Sequence, residues 1–397
     1  MPSLFLQWIA VSTVIVYIAF SPIYLVGSLT IGDLWLAGAL FLVLWSRRFW
    51  KCLAHFFRSG YLLLSFLLSA AMMLATINAP SVPDNLKFIA QFMTILWVLI
   101  PLVAVGVAQM ESPLRFLEIF SWLSLIFFAV GVVLQFGFGM DGVLYANGPG
   151  RFTLRFNAGA LQMSALCLST ACLFKGREFR WRYLVMLLGA VMPVIFNASR
   201  SGFVTIALII GVAALMSLRR WRGLLLAVVV GGGMLWLLSS TAIQDTLGIA
   251  VRTEYFMDEA RLDSAQAAWR TLSQDWTNWM FGVGWGNSGK GAMSLEIVVH
   301  NVLLQVLTEA GILTMGLLCG WLFLPVIWVV RLKRSHEIER TFVILGSVSV
   351  WMSLLLHAVS CERAHWLGFA ILMGVAGWLR ADRKLDQPGN VGGVLKQ

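Results

Sequence analysis

His300 and Asn301 stand where a long, mostly polar segment hands over to an apolar run, HNVLLQVLTEAGILT. An imidazole titrates near physiological pH and can accept or return a proton, so a histidine at such a junction is a candidate general base. If residues 300–310 are helical, His300, Leu303, Leu304 and Leu307 share one side at i, i+3, i+4 and i+7. That spacing sets the histidine at the N-terminal end of a helix at a membrane surface. One acid, Glu309, follows on an otherwise apolar stretch, and Gly311 marks its end. Glu296, four residues before His300, is a candidate to orient the ring, the alternative being a solvated acid. The plainer alternative is an interfacial histidine with one wet ring edge.

A second set of candidates is cationic. Arg200 lies in NASRSGF between two apolar runs that leave almost no loop, so its guanidinium belongs at or below the headgroup level. A charge near hydrocarbon is expensive. The planar fork of donors suits a phosphate or pyrophosphate, whereas the alternative is an arginine snorkelling to lipid phosphate. Arg151 and Arg155, in the glycine-rich segment 137–157, and Arg261 and Arg270, in the long polar segment, add cations on the same side. GVGWGNSG (282–289) has the glycine density of a phosphate loop but no strand–helix unit around it, which predicts a tight turn instead. No outward Asp-x-Asp, His-Glu-x-x-His or Walker loop is present, so neither a metal nor another cofactor is expected.

The elements that must hold these groups are written in the composition. Of 397 residues, 59% are hydrophobic and 12% charged, with mean hydropathy +0.83. A soluble domain carries about 25% charged residues, so the chain reads as an all-α polytopic membrane protein. Eighteen Trp and 26 Phe suit lipid contact and interfacial belts. The five cysteines (Cys52, Cys167, Cys172, Cys319 and Cys361) show neither a metal-ligand spacing nor a disulfide framework.

Apolar runs long enough to cross a bilayer fall at about 4–26, 30–46, 60–77, 87–108, 116–136, 157–174, 183–199, 202–218, 223–238, 311–330, 341–358 and 364–379. They predict about twelve spans: helices 1–9 in 1–238, an outer segment over 239–310, helices 10–12 in 311–380, and a tail from 381 to 397. Most of the 29 Lys and Arg lie in loops on the side of the termini, which the positive-inside rule makes cytoplasmic. The net charge of +10 is therefore a topology signal, and a nucleic-acid partner is not expected. In the outer segment Asp258 and Glu259 are expected to begin a helix. Leu262, Ala265, Trp269, Leu272 and Trp276 would form its apolar stripe and lay it on the membrane, with Arg261 and Ser264 off the stripe.

His300-Asn301, nine residues, Gly311, two residues, Thr314 resembles the signature of bacterial O-antigen ligases. Those proteins share a superfamily with O-antigen polymerases and O-linked oligosaccharyltransferases. NASRSG around Arg200 resembles the superfamily's serine-arginine-glycine segment, and Arg261 followed by a helix and FGVGWG resembles its lead-in to the histidine. The likeness covers order and topology over most of the chain, with motif-level matches from about residue 151 to 315.

The resemblance implies a twelve-helix, GT-C-like glycosyltransferase of a Gram-negative inner membrane, multi-pass, with its large loop and active site in the periplasm. The donor would be glycan on undecaprenyl pyrophosphate and the acceptor a sugar hydroxyl of the lipid A–core, met among membrane lipids. The resemblance carries a catalytic role to His300 and pyrophosphate binding to Arg200 and Arg261. Arg261 precedes Trp269 by eight residues and Arg270 follows at once, which makes Arg270 the alternative. Arg151, Arg155, Asn301 and Glu296 are accessory candidates. The nearest rival is an O-antigen polymerase with the same donor and a lipid-linked glycan acceptor. The His-Asn…Gly…Thr spacing and the lack of a second large outer loop favour ligase. A lipid or glycan transporter is more distant, because the candidates gather at the outer face and no internal repeat is seen.

Overall fold

The computed structural model describes residues 4–20, 24–26, 29–56, 60–133, 154–176, 180–196, 200–217, 228, 232, 259–285, 301–330, 332, 336–356 and 363–385. The expected run at 223–238 lies almost wholly outside these residues, as do Arg151, Glu296 and His300.

Helix dominates the described residues. The chain runs α1 (Leu4–Phe20), a short antiparallel pair β1 (Tyr24–Val26) and β2 (Leu29–Thr30), α2 (Ile31–Leu44), α3 (Arg47–Phe56) and α4 (Leu62–Leu74). A 3-10 turn (Ala75–Asn78) leads to α5 (Val82–Thr94), which continues through a π turn (Ile95–Leu99) into α6 (Ile100–Ala108). Then follow α7 (Pro113–Val132), α8 (Leu154–Lys175), α9 (Trp181–Phe196), α10 (Arg200–Met216), α11 (Glu259–Gln274) and α12 (Trp276–Phe281). The described part ends with α13 (Val302–Leu322), α14 (Leu324–Val330), α15 (Glu337–Leu356) and α16 (Arg363–Leu385).

Four stretches among the described residues are long and apolar enough to cross a membrane: Val82–Ala108, Pro113–Val130, Val302–Val330 and Glu337–Leu355. Shorter apolar helices include Leu4–Tyr17, Ile31–Leu44, Leu62–Asn78 and Gly202–Met216. The first apolar run is not one helix over 4–26. It is described as helix over Leu4–Phe20 and as strand over Tyr24–Val26, and the sequence between them holds Pro22, which supplies no N–H and disfavours helix in the residue ahead of it.

At the centre lies α6, whose residues Ile100–Val107 are all buried between α1 and α16. A Cβ on Gly106 would overlap Ala10 of α1, and one on Gly374 would press on Val107 and the Ala104 carbonyl. Small residues let these backbones approach closely, the usual device where lipid is as apolar as the side chains. Trp321 of α13 joins the core through rings of Phe369 (centroids 4.5 Å apart) and Trp366 (5.8 Å), and its indole N–H donates to Ser65 Oγ at 3.2 Å.

The acid in the second apolar run has a local duty. Asp33 Oδ2 accepts from the N–H and the hydroxyl of Thr30, each at 3.0 Å, while Thr30 accepts from the Asp33 N–H, closing a capping box at the start of α2. Helix α3 buries Phe49, Leu53 and Phe56 and exposes Arg47, Arg48 and Lys51. On it Cys52 is half-buried; burial pushes its thiol up, and the Arg48 charge pulls the other way.

Candidate functional site

Asn301 is the N-cap of α13. Its backbone is extended (φ −145°, ψ 113°), and its side-chain oxygen accepts from the Leu304 N–H at 3.0 Å. The first N–H groups of a helix have no partner in the helix itself, and a short polar side chain meets one of them. The asparagine of the His-Asn pair thus fixes where the helix begins. His300 is the residue immediately before that cap and, with Glu296, lies outside the described residues.

Gly311 was expected to end the helix, but α13 continues past it to Leu322 with a break inside. There φ is 79° and ψ 173°, a conformation almost confined to glycine. The break releases carbonyls that would otherwise bond one turn further on. Thr308 O accepts from Val283 N at 2.9 Å and Glu309 O from Gly284 N at 3.0 Å. Thr314 Oγ1 donates to the Ala310 carbonyl at 2.7 Å. The asparagine of the spaced motif therefore begins the helix, the glycine breaks it, and the threonine satisfies a carbonyl beside the break.

The turn after α12 is built to meet that break. Gly282 also holds a glycine-only conformation, φ 72° and ψ −172°. A Cβ there would overlap the Glu309 carbonyl carbon and Ala310 N, and a Cβ on Gly311 would overlap the Met280 carbonyl. Asn78 Nδ2 donates to Gly282 O at 3.0 Å, and Asn85 Oδ1 accepts from Trp285 N. The tight turn expected over 282–289 is present across its described part, 282–285, with Gly284 at φ 92° as well.

Polar groups are sealed into this junction. Glu309 is 1% exposed and accepts from Gln305 Nε2 at 3.2 Å. Asn85 Nδ2, Trp285 Nε1 and Gln305 Oε1 are buried without a hydrogen-bond partner. Sequence reasoning missed Asn78, Asn85 and Gln305. The signal available was weak: two asparagines near the start of a long apolar helix, which look like ordinary loop residues until the turn that they hold is known.

Arg200 is the first residue of α10, Arg155 lies in the first turn of α8, and Arg261 lies in the first turn of α11. Arg270 is exposed near the end of α11. Helix α11, with both Arg261 and Arg270, packs against α13, while α10 and α13 both pack against α15. So the structure joins the helices of Arg261 and Arg270 directly to the capped helix, and that of Arg200 to it through α15.

One expectation is corrected. Helix α11 runs over Glu259–Gln274 and Trp276 falls on α12, so the expected stripe spans two helices and is not a single membrane-facing surface. Leu272 is fully buried and Ala265 partly so, whereas Trp269 and Trp276 are 58% and 69% exposed. Leu272 and Ala268 pack inward, and the tryptophans face away.

Compared with known proteins, the chain matches no family model and no curated protein.

Proposed function

We propose that the chain is a membrane glycosyltransferase of the O-antigen ligase type, moving glycan from undecaprenyl pyrophosphate to a sugar hydroxyl of the lipid A–core. Its setting is the periplasmic face of a Gram-negative inner membrane, in a twelve-span GT-C-like fold with both termini cytoplasmic. The observation that carries this reading is the spacing His300-Asn301…Gly311…Thr314, in which Asn301, Gly311 and Thr314 build a capped and broken helix and the histidine immediately precedes the cap in sequence.

In the reaction we propose, His300 accepts the proton of the acceptor hydroxyl as its oxygen attacks the anomeric carbon. A new C–O bond forms and the bond from that carbon to the phosphate oxygen breaks, inverting the centre. Undecaprenyl pyrophosphate departs with the electron pair. Arg200 and Arg261, or Arg270 in its stead, balance the charge that develops on the pyrophosphate. Arg151, Arg155 and Glu296 are the accessory groups, and Asn301 acts through the helix start.

Purified protein given undecaprenyl-pyrophosphate-linked glycan and lipid A–core tests the reading. The expected products are glycan-capped lipid A–core and free undecaprenyl pyrophosphate. Extension of one lipid-linked glycan by another, with the core untouched, would assign the chain as a polymerase.

A further inference from the structure

The exposed face of α12 is left by the fold in need of a partner. Trp276 and Met280, one turn apart on that short helix, are 69% and 42% exposed, and Trp269 of α11 meets Trp279 of α12 edge-on, with ring centroids 5.2 Å apart. Two independent rulers give the height of this face. Residues 312–330, from the break at Gly311 to the last residue before the basic run Arg331, Lys333 and Arg334, rise roughly 28 Å at about 1.5 Å per residue, close to one hydrocarbon thickness. Counting upward from Ala108, residues 89–108 rise about 30 Å and end one turn below Asn85.

The first ruler ends at the turn 280–285, and the second ends one helical turn short of it. Gly311 is in backbone contact with Met280, and Asn85 holds the Trp285 N–H. The segment 280–285 is therefore pinned at the hydrocarbon boundary from two helices. Apolar side chains adjoining the residues that hold this turn are exposed as well: Ile312 and Leu313 directly past the break, Ile77 next to Asn78, and Leu86 next to Asn85. Farther along α11, Trp269 shares the exposed side with Gln266, Arg270 and Ser273, a mixture suited to the hydrated headgroup layer.

The geometry points to α12 as an interfacial anchor: Trp276 and Met280 enter the headgroup–acyl boundary of the leaflet at the N-terminal end of α13, with Trp269 and Arg270 at headgroup level. The occupant of this face is lipid, and the assignment stands whether or not the chain transfers glycan. Because the turn behind α12 is bonded to the break in α13, the anchor also fixes the height of the capped helix relative to the bilayer.

Nitroxide labels at positions 276, 280 and 266 of the full chain, with its native cysteines replaced, read the accessibility to oxygen and to a water-soluble nickel chelate in phosphatidylcholine vesicles. Positions 276 and 280 should show an oxygen-to-nickel ratio several-fold above that at 266. Ratios at 276 and 280 equal to that at 266 would overturn the assignment, as would immobilised spectra shielded from both reagents, the mark of a protein partner. Should the cysteine-replaced chain fail to fold, benzoylphenylalanine at 276 in the native-cysteine chain gives the same decision. Photolysis should add lipid, and adducts to protein alone would count against it.

Discussion

Gly282 and Gly311 interlock: each adopts a backbone conformation that other residues avoid, and each occupies the space where the other segment's backbone must pass. The first closes α12 and the second breaks α13, so a loop segment and a long helix share one hydrogen-bonded seam through Val283, Gly284, Thr308 and Glu309.

An alanine at either position should be costly. The unusual dihedral angles alone cost on the order of 1–3 kcal/mol, and the backbone overlap adds to that. Gly311→Ala and Gly282→Ala are each expected to lower the thermal unfolding midpoint in detergent, and the double substitution by less than the sum of the two. Full additivity would mean that the two glycines act separately.

Asn301 should tolerate substitution by another capping residue. Asn301→Ala removes the bond to Leu304 N–H and should destabilise by about 1 kcal/mol, whereas Asn301→Asp or Asn301→Ser should retain most of the stability. Comparable activity of Asn301→Asp and wild type would fit a role through the helix start. Loss of activity in a stable Asn301→Asp variant would show that the amide itself meets substrate.

Removing Asn85 should leave the Trp285 N–H buried without a partner, at a cost of about 1–3 kcal/mol. Asn85→Ala is therefore expected to unfold earlier on heating than wild type. Limited proteolysis should cut first near residues 282–285, because that turn loses a tie to α5.

Cys52 gives a pH-dependent readout on α3. Burial raises its thiol pKa above the ordinary value, against a smaller opposing pull from Arg48. A raised pKa means less thiolate at a given pH, so alkylation of Cys52 near pH 8 should be slower in the folded chain than after denaturation. The rate should climb as the pH rises towards the raised pKa. Mass-resolved labelling of the peptide that contains Cys52 checks this, and equal folded and denatured rates would contradict it.

The proposed chemistry draws its charge balance from arginines, so purified protein should keep full activity in excess EDTA, and recovery only on adding Mg²⁺ or Mn²⁺ would count against the mechanism. Arg200→Ala is expected to lower turnover by roughly 10²–10³-fold, the scale seen when one donor to a developing anion is removed. Comparing Arg261→Ala with Arg270→Ala identifies which of the two grips the pyrophosphate.

Much of this was legible in the sequence, for identifiable reasons. Hydropathy predicted apolar runs at about 311–330 and 341–358, and these overlap the helical stretches Val302–Val330 and Glu337–Leu355, because a chain in lipid must satisfy its backbone internally. Glu259 announced α11, and Gly311 announced an interruption, although periodicity could not tell a break from an end. What failed was the face of α11. Leu272 and Trp269 are both apolar, and pattern alone does not separate a side chain that seeks protein from one that seeks the bilayer surface. Asn78 and Asn85 were illegible for a different reason. Their partners, Gly282 and Trp285, lie 204 and 200 positions away, a separation that no local pattern reports.

The most direct measurement is complementation in a Gram-negative strain that lacks this protein, with its lipopolysaccharide resolved on a gel and its carrier lipids analysed. Wild type should restore glycan-capped lipopolysaccharide. His300→Ala, present in the membrane at equal level, should leave long glycan on the carrier. Capped lipopolysaccharide from the His300→Ala strain would contradict the account.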